Sequence, residues 1–354
     1  ATRKPATGNE PFLRPELGFT PKWYHDAIGI DFDERWHTDV SYRHDSLAAM
    51  RAELDRRFPG TKIGAPGYSP DVPDLLTGVH GACVIAGIYE LPIVYRADQW
   101  PAATGTPLSD EQIARVQSPD LDNSPFFDAL MRQVDSIEER VGRVAGYVNW
   151  QGVLNNAHRL RGEELFTDMF TAPELCHRLF DCVCSTMIDA ARRLYRRQRA
   201  SGFEVSFFTV SNCLVNLVSP ELYREFLYPC DRRLADAFGT LGVHNCAWTV
   251  DPYLDTYASL PNVAYIDMGL ESDFTRARAL LPDARRAVMY RPTELADKPL
   301  TEIERDLDRI CRELGHCDLV AADIESGTPD DRIHALVEMC HRLNEVYTLR
   351  PSGS

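Results

Sequence analysis

From residue 143 to residue 347, short apolar runs alternate with longer amphipathic stretches, and this rhythm limits the fold more than any other feature of the chain. The runs are RVAGYVNW (143–150), FEVSFFTV (203–210), VHNC (243–246), VAYID (263–267), RAVMY (286–290) and DLVAAD (318–323). Helical patterns follow them, such as SPELYREFLYPCDRRLADAFGTLG (219–242), where Ser219 is the N-cap and Pro220 takes the first helical position. Strands and helices in this order specify βαβ units around a parallel sheet. Six units are visible, and a (β/α)8 TIM barrel needs two more. LLTGVHGACVIAGIYEL (75–91) and LPIVYRA (91–97) are the place to expect them. The closed barrel is the expected fold. A doubly wound open sheet comes second, because it wants a Gly-rich phosphate loop and neither GxGxxG nor GxxxxGKS/T occurs.

A chain of 354 residues suits one such barrel or two ordinary domains. The expected organisation is an irregular, partly helical segment at 1–74 packing on or over the barrel, the barrel at 75–348, and a tail at 349–354. DSLAAMRAELDRRF (45–58) has helical spacing, and the stretch 58–75 is turn-rich. WYHDAIGIDFDERWH (23–37) is dense in aromatics. Either it folds over the mouth as a lid, with Trp23, Tyr24, Trp36 and His37 lining a pocket, or it is plain core packing.

The net charge is −15 and the pI about 5.1, which turns the chain away from nucleic acid and anionic membrane. No run approaches the roughly 20 apolar residues of a membrane span. The start lacks an apolar secretory region. The ten cysteines form no regular framework and are expected to be reduced and mostly structural, in a cytoplasmic protein. A homodimer is compatible with all of this.

A barrel takes its chemistry from the C-terminal ends of its strands. His244 and Cys246 lie two apart at such an end, so both side chains share one face. Imidazole nitrogen and thiolate together suit zinc. The plainer reading is a buried Cys beside an incidental His. A catalytic zinc needs a third protein ligand and an open fourth position. No second Cys lies obviously in register, and Cys317 sits at the wrong end of its strand. Carboxylates are the alternative: Asp267 ends the next strand, and Asp323 and Glu325 end the last, although Glu325 also suits a helix cap. Asn149, Asn212 and Tyr290 are expected to contact substrate, against the simpler roles of turn formation and rim packing. Neither a GxSxG elbow nor a CxxC pair is present.

These segments together resemble the uroporphyrinogen decarboxylase superfamily, which includes zinc- and corrinoid-dependent methyltransferases. The resemblance rests on NWQGVLNNAHRLRGEELF, the SPELYREFLYPCDRRLADAF helix, the VHNCAWTVDPYLDTYASLPNVAYID segment, RRAVMYRPTEL and the closing TPDDRIHALVEMCHRLNEVY helix. It implies a (β/α)8 barrel with its site at the mouth. For the methyltransferase branch it also implies zinc on His244 and Cys246, and a methyl group passing to or from the cobalt of cobalamin on a separate corrinoid protein. The decarboxylase's Arg-rich N-terminal signature has no match here. The thiol-activating branch has another Cys at the end of the last strand, where this chain has Ala322 in VAADIESGTP.

Asp323 or Glu325 is therefore expected as an oxygen ligand, and a harder ligand set leaves zinc a stronger Lewis acid. The expected enzyme is a methyltransferase of O-demethylating type, working on a methyl ether or another small O- or N-methyl donor. Asp267 would support the site as ligand, as partner of a ligand, or as proton donor. The alternatives are a metal-free decarboxylase and a non-catalytic ligand-binding barrel.

Overall fold

The computed structural model describes residues 3–61 and 72–348. Most of the turn-rich stretch 58–75, and the tail 349–354, lie outside the described residues. Eight strands occur among them: β1 (Leu13–Phe19), β2 (Ile93–Arg96), β3 (Gln99–Ala103), β4 (Phe208–Ser211), β5 (Leu241–His244), β6 (Val263–Gly269), β7 (Arg285–Met289) and β8 (Cys317–Ile324). Six form one parallel sheet in the order β1-β8-β7-β6-β5-β4. Helices connect them and cover the outer face, giving an α/β fold of TIM-barrel type. The expected strands from residue 203 onward all form, within a few residues of the expected ends.

Three expectations for the first half of the chain need correction. The first 45 residues are not merely irregular, because β1 lies in the parallel sheet beside β8. Its inward residues are Arg14 and Glu16, and Arg14 Nε donates to Asp318 of β8 at 2.7 Å. Charges on the inner face hide the apolar alternation that normally marks a strand. LPIVYRA does form a strand, but β2 pairs antiparallel with β3 in a separate hairpin. RVAGYVNW does not join a ladder. Its backbone is satisfied by side chains instead: Gln198 Nε2 donates to the carbonyls of Val144 and Gly146, and Ser201 Oγ accepts from Val144 N.

Along the sheet, Ser211, His244, Asp267, Ala287, Asp318 and Arg14 lie on one continuous line of register. Positions two before and two after each of these share their face. The interior therefore holds a small apolar group of Tyr265, Ala287, Met289 and Val320, with Ala247 and Ala322 against it. The large core lies outside, between sheet and helices.

Trp23, Tyr24, Trp36 and His37 are all buried in or beside that outer core, so the aromatic block packs and does not line a pocket. His37 and His80 are buried near Arg43, with His80 Nδ1 against the Tyr95 hydroxyl at 2.8 Å and His37 Nδ1 accepting from His80 N at 3.0 Å. Burial lowers the pKa of His37 to about 3, helped by His80 and Arg43, and lowers that of His80 to about 4, helped by Arg43. An unfolded imidazole titrates near 6.5. The unfolded chain thus binds more protons below that pH, and stability is lost as pH falls from about 6.5 towards 4, by up to about 1.4 kcal/mol per pH unit for each imidazole. Urea midpoints between pH 7 and pH 5 should fall, and His80→Gln should flatten that dependence.

Candidate metal centre

The strand ends of β4 and β5 carry the same local pattern. VSNC follows β4 through residues 210–213, and VHNC follows β5 through 243–246. Ser211 pairs with His244 in register, so Cys213 and Cys246 each lie two residues beyond the paired position. Together with His244 they form a cluster whose ligand atoms all lie within 4.8 Å of one another. His244 is buried, and the two cysteines are partly exposed.

Asp267 holds this arrangement in place. It is fully buried on β6, the register partner of His244. His244 Nδ1 donates to its Oδ2 at 2.6 Å, and the Tyr265 hydroxyl donates to the same oxygen at 3.0 Å. Oδ1 accepts from the backbone amides of Asn245 at 2.8 Å and Cys246 at 3.0 Å. One carboxylate thus commits Nδ1 of the imidazole, leaves Nε2 for a metal, and pins the turn that carries the thiol. That turn needs pinning, because Cys246 has φ of +65°, a left-handed conformation unfavourable for a side chain with a Cβ. Gly269 lets the turn lie close against β6, since a Cβ there would collide with the Ala247 carbonyl.

The other sulfur is fixed through its neighbour. Asn212 N donates to the His244 carbonyl at 2.7 Å, and Asn212 Nδ2 donates to Asp231 at 2.8 Å. The Tyr223 hydroxyl donates to the same Asp231 oxygen at 2.7 Å. Burial raises the Asp231 carboxyl to about 6 against the pull of those two donors.

The electrostatics suit a soft cation. A hydrogen bond from Cys213, and then His244, hold the Cys246 thiol well below the usual thiol range despite its burial. Cys213 holds the shared proton, so its pKa is pushed up, first by Cys246 and then by burial. Burial and the Arg3 charge oppose protonation of His244, but the Asp267 carboxylate and Cys246 outweigh them and its pKa is raised. Two sulfurs and one imidazole held from behind by a carboxylate fit zinc with its fourth position open.

Of the residues singled out from sequence, His244, Cys246 and Asp267 are brought together. Asp323 and Glu325 are exposed and outside the cluster, and Glu325 faces Thr20 at 3.4 Å. The soft Cys213 takes the place expected for a hard oxygen. Asn212 orients a loop. Asn149 Oδ1 accepts from the Gln151 amide and side chain, holding Gln151 at φ of +62° in a turn. Tyr290 faces outward, and its hydroxyl donates to Asp306 at 2.9 Å in the helix Leu300–Glu313.

Residues 74–343 match the family model for uroporphyrinogen decarboxylase (URO-D). The chain belongs to the uroporphyrinogen decarboxylase family. No curated protein matches this family member significantly. Among solved structures it is similar to a methyltransferase from Methanosarcina mazei, with a TM-score of 0.63 and 15% identity over 94% of each chain. That likeness is one of fold. No helix among the described residues of this URO-D family member is long and apolar enough to cross a membrane.

In zinc titrations with a competing chelator, Cys213→Ser, Cys246→Ser and His244→Ala should each abolish stoichiometric binding. Asp267→Asn should weaken it roughly 10- to 100-fold. Asp323→Ala and Glu325→Ala should leave it unchanged.

Proposed function

We propose that the protein is a zinc-dependent methyltransferase that moves a methyl group from a small methyl ether to the cobalt of a corrinoid carried by a partner protein. The observation that carries this reading is the Cys213–His244–Cys246 cluster backed by Asp267 at the C-terminal ends of the strands. A bound zinc would act there as a Lewis acid on the donor's oxygen.

The chain's own residues supply the rest. Asp267 keeps the His244 proton on Nδ1 and fixes the ring. It does not serve as an acid towards substrate, because it is fully buried and both its oxygens already accept hydrogen bonds. Tyr265, Ala287, Met289 and Val320, with Ala247 and Ala322, make the inner face of the sheet apolar on the side of the strands that carries His244 and Asp267. The methyl carbon leaves as a cation equivalent to the electron pair of the reduced corrinoid, and the pair of the broken C–O bond stays on the phenolate oxygen. Positioning of donor and acceptor in line supplies much of the rate.

The preference for an ether cannot rest on a hard ligand set, because the third group is a second sulfur. It rests on the apolar surface, and Cys2His zinc sites do accept oxygen ligands, as in alcohol dehydrogenase. The two sulfurs favour a second reading: a thiolate-rich zinc also suits a thiol that accepts a methyl group. A two-way assay separates these. Zinc-loaded protein with a reduced corrinoid protein should methylate cobalt, followed by its absorption spectrum, when given methoxylated aromatics. Methylated corrinoid should be stable to added thiols. Loss of the methyl to a thiol would support the second reading, and no transfer in either direction would reject both. Cys246→Ser should lower the rate at least about 100-fold.

A further inference from the structure

A cleft of about 750 Å³ opens at the end of the barrel opposite the metal cluster, between the helices Phe274–Leu280 and Leu300–Glu313. Arg286 lines it from the second position of β7, and Arg278 and Arg312 line it from the last turns of the two helices. These arginines gather in a chain whose net charge is −15. The acid in the same wall, Glu313, is already bound by Arg309 at 2.9 Å.

Arginines at helix ends ordinarily serve the last carbonyls. Arg286 fills that role, its Nη1 donating to the carbonyls of Leu281 at 2.8 Å and Pro282 at 3.0 Å. Its charge is left unanswered. Arg286 is buried, pairs with no carboxylate among the described residues, and has an Nε without a hydrogen-bond partner. Asp283 draws on it from nearby without forming a pair. Arg278 makes no hydrogen bond or ion pair among the described residues. Its guanidinium lies over Gly315, where a Cβ would stand 3.6 Å from Cζ. Arg312 has partners on its own helix alone, Asp308 at 2.8 Å and Glu313 at 3.6 Å. The adjoining His316 feels the excess charge: burial lowers its pKa, and Arg285, Arg286 and Arg278 lower it further. Of those three, Arg285 has a carboxylate partner in Asp318. A guanidinium out of water without a counter-charge is costly, and an anion relieves that cost.

We propose that this cleft binds a small phosphate-bearing molecule, with the phosphate held by Arg278 and Arg312 over the charge of Arg286. A phosphate monoester carries about −1.5 to −2 charges at pH 7 and three acceptor oxygens, so it answers two guanidinium forks, whereas a carboxylate answers one. The cleft has room for an organic part as well, since whole small molecules occupy pockets of roughly 300–1,000 Å³. Ala279 and Pro282 give that part an apolar wall, and Thr275 gives it a hydroxyl. Barrel chemistry belongs to the other end of the strands. The ligand therefore binds here without reacting, independently of the metal and of the proposed methyl transfer.

Calorimetry on the full-length protein in low-salt, phosphate-free buffer tests this with phenyl phosphate, inorganic phosphate and benzoate. Phenyl phosphate should bind at a single site, at least about 10-fold more tightly than either of the others. His244→Ala should leave that affinity unchanged, which separates the cleft from a phosphate held on zinc. Arg278→Glu should weaken binding at least about 10-fold, and Arg278→Lys should retain part of it. Arg192→Ala, in the helix Pro173–Ala200, should have no effect. Arg278 and Arg192 are both exposed, so neither change threatens folding. Benzoate binding as tightly as phenyl phosphate, binding lost in His244→Ala, affinity that survives Arg278→Glu, or no binding of any probe would overturn the assignment. Inorganic phosphate binding as tightly as phenyl phosphate would overturn the organic ligand in favour of the free ion.

Discussion

The site is organised around the carboxylate of Asp267. It sits on β6 without solvent contact, and its four hydrogen bonds reach a ring nitrogen, a phenol and two consecutive backbone amides. A buried carboxylate must be fully satisfied, and this one is satisfied only if the His244 ring and the turn at Cys246 both adopt the observed conformations. The strained φ at Cys246 and the orientation of the imidazole are thus two results of one constraint. The register of β5 against β6 delivers that carboxylate to the imidazole, so the sheet itself sets the chemistry of the cluster.

How far the sequence could be read follows from which forces shaped each segment. Strands β4 to β8 are buried on both faces and pack against helices, so they read as continuous apolar runs. β1 escaped because Arg14 and Glu16 face a polar interior, and the partner that explains them, Asp318, is some 300 residues away in the chain. RVAGYVNW looked like a strand because it is apolar and largely buried, yet a glutamine side chain takes the carbonyls that a ladder would have used.

The cluster was legible in part. His244 and Cys246 follow from the two-residue period of a strand, and Asp267 from its place at the next strand end. Cys213 was hidden because it lies past the end of β4, two residues beyond the last paired position, where strand periodicity alone does not fix its direction. The signal was present in the repeated pattern of VSNC and VHNC, two adjacent strand ends of matched register. Asn212 drew attention as a polar group at the mouth, whereas its bonds to His244 and Asp231 serve to present the sulfur beside it. Tyr290 misled because a tyrosine at a strand end faces either way, and nothing local reveals Asp306 as its partner.

The pairing of β1 with β8 bears on how the molecule comes into being. The sheet acquires β1 only against a strand near the other end of the chain, so this edge closes through a contact of extreme sequence separation, the kind that slows folding. During synthesis, Leu13–Phe19 must wait, with Arg14 lacking its Asp318 partner, until that residue has left the ribosome. Among the strands of this sheet the last made therefore secures the first made, and the interior face they share is completed only once β8 has emerged.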